Sequence, residues 1–315
     1  MSKTILVTGS LAFDQIMDFK GKFAQHIDPT KLHILNISFN VENLKKQRGG
    51  TAGNIAYNLA LLNNNPLILG AAGQDFTEYK SFLEASGVNT ENIKIAADDF
   101  TAQATIMTDL DHNQITSYYP GAQKYSADLK IETINPKPDF VVIAPTDPQA
   151  MVNFANECQS LKINYLFDPG MLLPMLNDDD LKKSIDRATI LIGNDYEMGI
   201  ILKRLNTSAE DLLKTVEVVI TTLGGEGSII KTKTEEVKIS PAKPREVLDP
   251  TGAGDAYRAG FLSGYLNGLD LKTAGQMGSV TACYAVENYG TTTHKFSPEE
   301  FKKRYQENFE EKLIS

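Results

Sequence analysis

The residues best equipped for chemistry lie in one run, Asp249-Pro250-Thr251-Gly252-Ala253-Gly254-Asp255-Ala256-Tyr257-Arg258-Ala259-Gly260-Phe261. Pro250 fixes φ and lacks a backbone donor. Gly252 and Gly254 permit close approaches that a Cβ would forbid. Ala256, Phe261, Leu262, Tyr265 and Leu266 then recur at helical spacing. The run reads as a tight turn that opens a helix. The first turn of a helix carries unpaired N–H groups and a partial positive charge, so a phosphate can rest on amides there. Asp255 would lie beside the anion it should repel, a placement that suits a base taking a proton from an attacking hydroxyl. Arg258, one turn on, is either added positive charge or an ordinary surface arginine. The plainer reading of the whole run is a capped helix after a glycine turn.

A second cluster, Arg48-Gly49-Gly50-Thr51-Ala52-Gly53-Asn54, leads into the apolar run Ile55 to Leu62. Glycines before a helix again expose amides to a ligand; the alternative is a plain helix-start loop. Asp14 follows the first apolar run and by itself is a loop acid. Asn194 and Glu197 have the spacing of a capping box. Gly224 and Gly227 suit a hairpin turn after Thr222. His26 and His33 are expected to face solvent, with no second ligand at metal spacing.

The elements that must hold these residues alternate between strand and helix. Ile5–Val7, 66–70, 140–143, 165–167, 189–192 and 216–222 read as strands, and 79–87, 148–161, 181–185 and 271–287 as helices. That rhythm belongs to a mainly parallel sheet covered by helices. Two stretches break it. Residues 32–39 alternate enough to be a strand, and Thr101–Thr108 and Gln114–Tyr119 flank a polar turn as a hairpin. A hairpin within an α/β chain suggests a lid. Ser297 and Pro298 start a final surface helix at N-cap and N1.

The chain has 315 residues, 42% hydrophobic and 23% charged, with a net charge of −9. It is long enough for a sizeable core. No basic stripe is present, so neither nucleic acid nor an anionic membrane is an expected partner. No apolar stretch of membrane length occurs. Cys158 and Cys283 lie in apolar helical patterns and read as reduced core thiols, which points to the cytoplasm. Walker A and protein-kinase motifs are absent. A dinucleotide fingerprint fails at Tyr257 and lies too late in the chain, which leaves hydride transfer a weak alternative.

The two glycine clusters together resemble the signatures of the ribokinase family of sugar and nucleoside kinases, the PfkB type. Its G-G-x-x-x-N segment is matched by Gly49, Gly50 and Asn54, and its D-x-x-G-A-G-D segment by Asp249 through Asp255. DPTGAGDAYRAGF, the segment 113–122 and the segment 286–292 look most like the bacterial adenosine kinases of that family. The resemblance implies a ribokinase-like three-layer α/β/α fold with a central, mainly parallel sheet. It implies one kinase domain over 1–315, with a small β-sheet lid formed by about 12–48 and 98–122.

The implied reaction is ATP-dependent phosphorylation of the 5′-hydroxyl of a nucleoside, most readily adenosine. A sugar kinase of the same fold shares every catalytic letter, and a non-catalytic ligand-binding member is a third reading that an intact Asp255 opposes. Asp255 would be the base in a catalytic turn with Gly252, Ala253 and Gly254, and the amides of Ala253, Gly254 and Asp255 would hold the migrating phosphoryl group. Asp14, Gly49, Gly50 and Asn54 would grip the sugar, and Gln114 and Tyr119 would contribute from the lid. Asn194, Thr222, Gly224 and Gly227 would lie near the ATP phosphates and ribose. Glu197 would serve Mg²⁺ through water, and a monovalent cation such as K⁺ is a further option. The expected assembly is a monomer or a homodimer.

Overall fold

Residues 3–27, 29–34, 36–111 and 113–313 are described by the structure, a computed structural model. Its strands are β1 (Thr4–Thr8), β2 (Ala12–Asp18), β3 (Asn43–Gly49), β4 (Asn65–Gly73), β5 (Ile93–Ala96), β6 (Ala102–Thr108), β7 (Gln114–Tyr119), β8 (Phe140–Ile143), β9 (Asn164–Phe167), β10 (Ile190–Asn194), β11 (Val218–Thr222), β12 (Ser228–Lys231) and β13 (Glu236–Ile239). Its helices are α1 (Thr51–Leu61), α2 (Thr77–Ala85), α3 (Pro148–Leu161), α4 (Asp178–Ile185), α5 (Asp195–Arg204), α6 (Ala209–Leu212), α7 (Ala253–Leu266), α8 (Leu271–Val286) and α9 (Pro298–Phe309).

The short apolar runs become the interior of a nine-stranded sheet, ordered β13-β12-β11-β10-β9-β8-β1-β4-β5. Pairing is parallel from β11 across to β5, and only β12 and β13 join antiparallel. Strands buried on both faces need no polar alternation. In β1, Ile5 and Val7 enter one core with Ile55, Leu59 and Phe261, while Leu6 enters the other with Val141, Phe154 and Leu191. Helices therefore cover both faces, giving the three-layer α/β/α arrangement expected. The helix ends are fixed locally: Asp147 accepts from the Ala150 amide at 3.0 Å, and Ser297 with Glu300 forms a capping box for α9.

The chain leaves β1 towards β4 and β5 on one side and later returns to β8 on the other. The order thus reverses between β1 and β8, and in such sheets the crevice outside the strands' carboxyl ends at that point is the natural ligand site. Ser10, just past β1, donates its amide to Pro145 O, just past β8, at 2.9 Å.

A second sheet, ordered β3-β2-β6-β7, begins directly after β1. β2 and β6 are parallel, and β3 and β7 flank them antiparallel. The strand expected over 32–39 does not form among the described residues, which exclude Leu35. Pro29–Ile34 is a 3₁₀ turn, and β3 occupies the edge of β2 that such a strand would need. Phe39 joins an aromatic cluster, packing edge-on against Phe19 at 4.9 Å and Phe23 at 5.2 Å, while Ile34 is exposed. No helix among the described residues is long and apolar enough to cross a membrane.

Candidate active site

Two helix starts meet over the crevice. α1 is fastened to the carboxyl ends of β1 and β8: Thr51 N donates to Ser10 Oγ at 3.1 Å, Ala52 N to Ser10 O at 3.0 Å, and Thr51 Oγ1 to Pro145 O at 2.9 Å. Gly50 makes this turn at φ +89°, where a Cβ would lie 2.5 Å from Ser10 O. Gly49 serves a different end, since a Cβ there would sit 2.4 Å from Asp14 Oδ2. The second start is α7. Gly252 caps it in the left-handed region at φ +80°, and a Cβ would press on Thr291.

The two starts touch through side chains. Asn54 Nδ2 donates to Asp255 Oδ2 at 2.8 Å, across 201 residues of sequence. Asn54 is buried, and its Oδ1 lies 2.7 Å from Thr291 Oγ1, whose single hydrogen is shared between Asn54 Oδ1 and Arg48 O at 2.9 Å. The Asp255 carboxylate decides which way the amide faces: ionised it only accepts, so the NH₂ points at it and Oδ1 at Thr291. Behind Asn54, Asn58 Nδ2 donates to Asn54 O at 2.9 Å, and Asn58 Oδ1 lies 2.8 Å from His294 Nε2. The segment 291–294 thus clamps α1 from behind.

Asp255 is half-buried, and burial pushes its carboxyl up to about 6, opposed by the Arg258 guanidinium and the Asn54 hydrogen bond. Arg258 is not on the surface. Its Nε lies 2.5 Å from Asp168 Oδ2, with the two side chains 8% and 3% exposed. Burial of the guanidinium works against its charge, and Asp168, Asp255 and Glu197 outweigh it, so the net direction is upward. Asp168 Oδ1 is buried without a hydrogen-bond partner.

Asp14 stands in β2 in a row with Gln47 of β3, Ala104 of β6 and, next to Ala104, Tyr118 of β7. Burial, and then the nearby Asp249 carboxylate, push Asp14 up to about 6. Asp249 is itself held, accepting from Thr251 N at 2.9 Å and Gly290 N at 3.0 Å. Tyr118 senses Asp14 and is pushed up to about 12, chiefly by burial. Tyr119 faces the other way: its hydroxyl bonds to Asp99, which also pairs with Lys124 at 2.7 Å. Gln114 is on the Asp14 face but four positions further along, bonded to Thr108 Oγ1 at 3.3 Å. Of the two, neither joins the cluster around Asp14.

On the far side of α7, Asn194 and Thr222 are direct neighbours at the carboxyl ends of β10 and β11. Asn194 and Glu197 complete a capping box, with both hydrogen bonds at 2.8 Å. Gly224, at φ +56°, has open space where a Cβ would be, whereas Gly227, at φ +93°, lies against Ile239 O and closes the hairpin. Ser228 and the Tyr257 hydroxyl, 2.7 Å apart, tie that hairpin to α7.

Among the described residues no group of three or more His, Cys, Asp or Glu could cage a metal ion. The donor set fits a Mg²⁺ carried mainly by phosphates and water, an ion that dehydrates reluctantly, with Glu197 as one carboxylate beside it. Sequence reading missed Asp168, Thr291 and Tyr118. Asp168 ends a strand before Pro-Gly, the only local signal it gives.

Comparison with known proteins bears on this geometry. The model of the pfkB family of carbohydrate kinases matches residues 11–298. A nucleoside kinase of Methanothermobacter thermautotrophicus is 36% identical over 307 residues, 96% of either chain. The structure of Burkholderia thailandensis nucleoside kinase in complex with inosine superposes with a TM-score of 0.89 at 33% identity, covering 99% of this chain and 100% of that one. Methanocaldococcus jannaschii nucleoside kinase gives 0.89 at 32% identity, covering 98% and 100%.

Proposed function

The chain belongs to the pfkB family of carbohydrate kinases, and on that premise we propose that it is an ATP-dependent nucleoside kinase acting on the 5′-hydroxyl of a purine nucleoside. The observation that supports this most directly is the 2.8 Å bond between Asn54 and Asp255, which joins the two glycine-led helix starts at one cleft. The similarity to nucleoside kinases over almost the whole chain favours a nucleoside over a free sugar. Adenosine is the first acceptor on this reading. Inosine is the second, because the Burkholderia enzyme was crystallised with it.

In the proposed mechanism Asp14 accepts hydrogen bonds from the ribose diol, a task for two carboxylate oxygens. Gly49 leaves room for the Asp14 carboxyl and Gly50 for the close turn at Ser10, and Asn54 contacts the sugar. Asp255 accepts the proton of the attacking hydroxyl, and the amides of Gly254 and Asp255, with that of Ala253 once it leaves its long 3.3 Å contact to Pro250 O, take up the transferring group's charge. Little covalent work falls to the protein; positioning dominates. Asn194, Thr222, Gly224 and Gly227 line the ATP side. Mg²⁺ bound with ATP supplies charge neutralisation of the phosphates, with Glu197 beside it. The second sheet closes over the acceptor as a lid, and its closure limits water attack on ATP. On this reading the base-facing aromatic is Tyr118 rather than Tyr119. A cytoplasmic setting fits a kinase whose Cys158 and Cys283 are both free and buried.

The deciding experiment is a coupled assay of ADP release with adenosine, inosine, cytidine, ribose and fructose as acceptors, with Mg²⁺ and with and without K⁺. Purine nucleosides should give the largest kcat/KM. A clear preference for a free sugar would overturn the nucleoside reading, and no turnover with any acceptor would overturn the enzyme itself.

A further inference from the structure

Buried ion pairs seldom stabilise a fold more than well-packed apolar residues would. Arg258 and Asp168 form such a pair, at 2.5 Å, on two different elements, the first turns of α7 and the carboxyl end of β9. Its position points to a task at the site. A Cβ on Gly254 would lie 2.8 Å from Arg258 Nη1. The guanidinium is therefore packed directly beneath the glycine turn, with no space for a side chain between. Three carboxylates from three elements act on this one cation: Asp168 after β9, Asp255 on α7 and Glu197 on α5. The acidic chain places no other described cation among the groups that act on Asp255.

We propose that Arg258, fixed by Asp168, is a positioning residue for phosphoryl transfer that braces the Gly252–Gly254 turn from beneath and sets the charge state in which Asp255 works. The proposal rests on the kinase reading above. Asp168 does more than anchor the arginine. Its carboxylate opposes ionisation of Asp255, while Arg258 favours it. The two members of the pair thus pull the base in opposite directions. The other groups around them are Glu197, Asn54, which is neutral, and the Tyr79 hydroxyl of α2, which senses Asp255.

This opposition separates a positioning role from a merely structural one. The test is the pH profile of kcat at saturating acceptor, which leaves out the Asp14 effect on KM, between pH 5 and 8.5 for Arg258→Met, Arg258→Lys and Asp168→Asn, with whichever acceptor the wild-type protein phosphorylates best. Removing the arginine charge should move the acidic limb to higher pH by about one unit and lower kcat. Removing the Asp168 charge should move the limb to lower pH. Arg258→Lys keeps the charge without the planar fork, so its limb should stay near wild type while kcat falls. If Arg258→Met does not fold, the downward shift in Asp168→Asn and the unshifted limb of Arg258→Lys must still appear. Equal losses of activity in all variants, with the limb unmoved, would overturn the proposal. A wild-type protein that phosphorylates no acceptor would instead count against the parent reading.

Discussion

Substituting Asp255 by Asn should harm activity and help stability, in proportions the structure sets. Asn is nearly isosteric and can still accept from Asn54 Nδ2, so the bond at 2.8 Å survives and nucleoside binding should be retained. It cannot take a proton, so kcat should fall by about 10²–10⁴-fold, the usual worth of general base catalysis. Stability moves the other way. Burial raises the carboxyl from 3.8 to about 6, so the folded state holds the proton more tightly than the unfolded chain does. Above pH 6 the wild-type protein must keep this side chain charged in a site that disfavours the charge. At about 1.4 kcal/mol per pH unit the penalty is about 3 kcal/mol. The carboxyl is half-buried, and solvent screening makes that an upper value.

As pH falls through 6 towards 4 the penalty fades, because both states become protonated. The neutral Asn pays it at no pH. Asp255→Asn should therefore melt several degrees above wild type at pH 7.5, at roughly 2–4 °C per kcal/mol, and the gap should shrink to about a third by pH 4.5. Thermal unfolding at the two pH values and a coupled assay of ADP release measure both halves. Turnover within a few-fold of wild type would refute the base assignment. A stability gap that ignores pH, or a less stable variant at pH 7.5, would refute the electrostatic reasoning.

Thr291→Val should cost about 10- to 100-fold in kcat/KM, because it removes the donor to Asn54 Oδ1 and leaves a buried acceptor unpaired at about 1–3 kcal/mol; Thr291→Ser should restore most of the loss. Tyr118→Ala should raise the nucleoside KM about tenfold through lost stacking, whereas Tyr119→Ala should leave KM within about twofold; a reversed ranking would return Tyr119 to the acceptor site. Asp14 must be ionised to accept from a diol, and its carboxyl titrates at about 6, so the nucleoside KM should climb as pH drops below 6. Asp14→Asn should raise KM at neutral pH and flatten that dependence, with kcat less affected.

The strands and helices were legible wherever burial on both sheet faces produced short apolar runs, and the two glycine clusters were legible because these helix starts need backbone that a Cβ would block, Gly50 against Ser10 O and Gly252 against Thr291. What escaped follows a pattern. Tyr118 and Tyr119 are sequence neighbours, and which of them faces Asp14 depends on strand register, which adjacent letters do not encode. Arg258 looked as much like surface as site, because its partner Asp168 lies 90 positions earlier with no periodicity linking them. Thr291 works by holding Asn54 and Arg48 O and by packing under Gly252, so its letter alone announces nothing. The strand expected at 32–39 rested on alternation, yet Phe39 packs in an aromatic cluster and Ile34 is exposed; alternation records which side chains are greasy and does not say what receives them.

The link from Asn54 to Asp255 spans 201 residues, and this has a bearing on how the molecule comes into being. Strand β1 must wait for β4 and then β8 before it has both neighbours, and the cleft must wait longer still, for α7. A nascent chain short of residue 255 carries a grip with nothing to act on what it holds. Catalytic competence is thus acquired near the end of synthesis, in one late step of long-range closure, the kind that chain entropy makes slow. Recovery of turnover after dilution from denaturant would then trail the recovery of helical signal, and the lag between them would time the joining of the two halves.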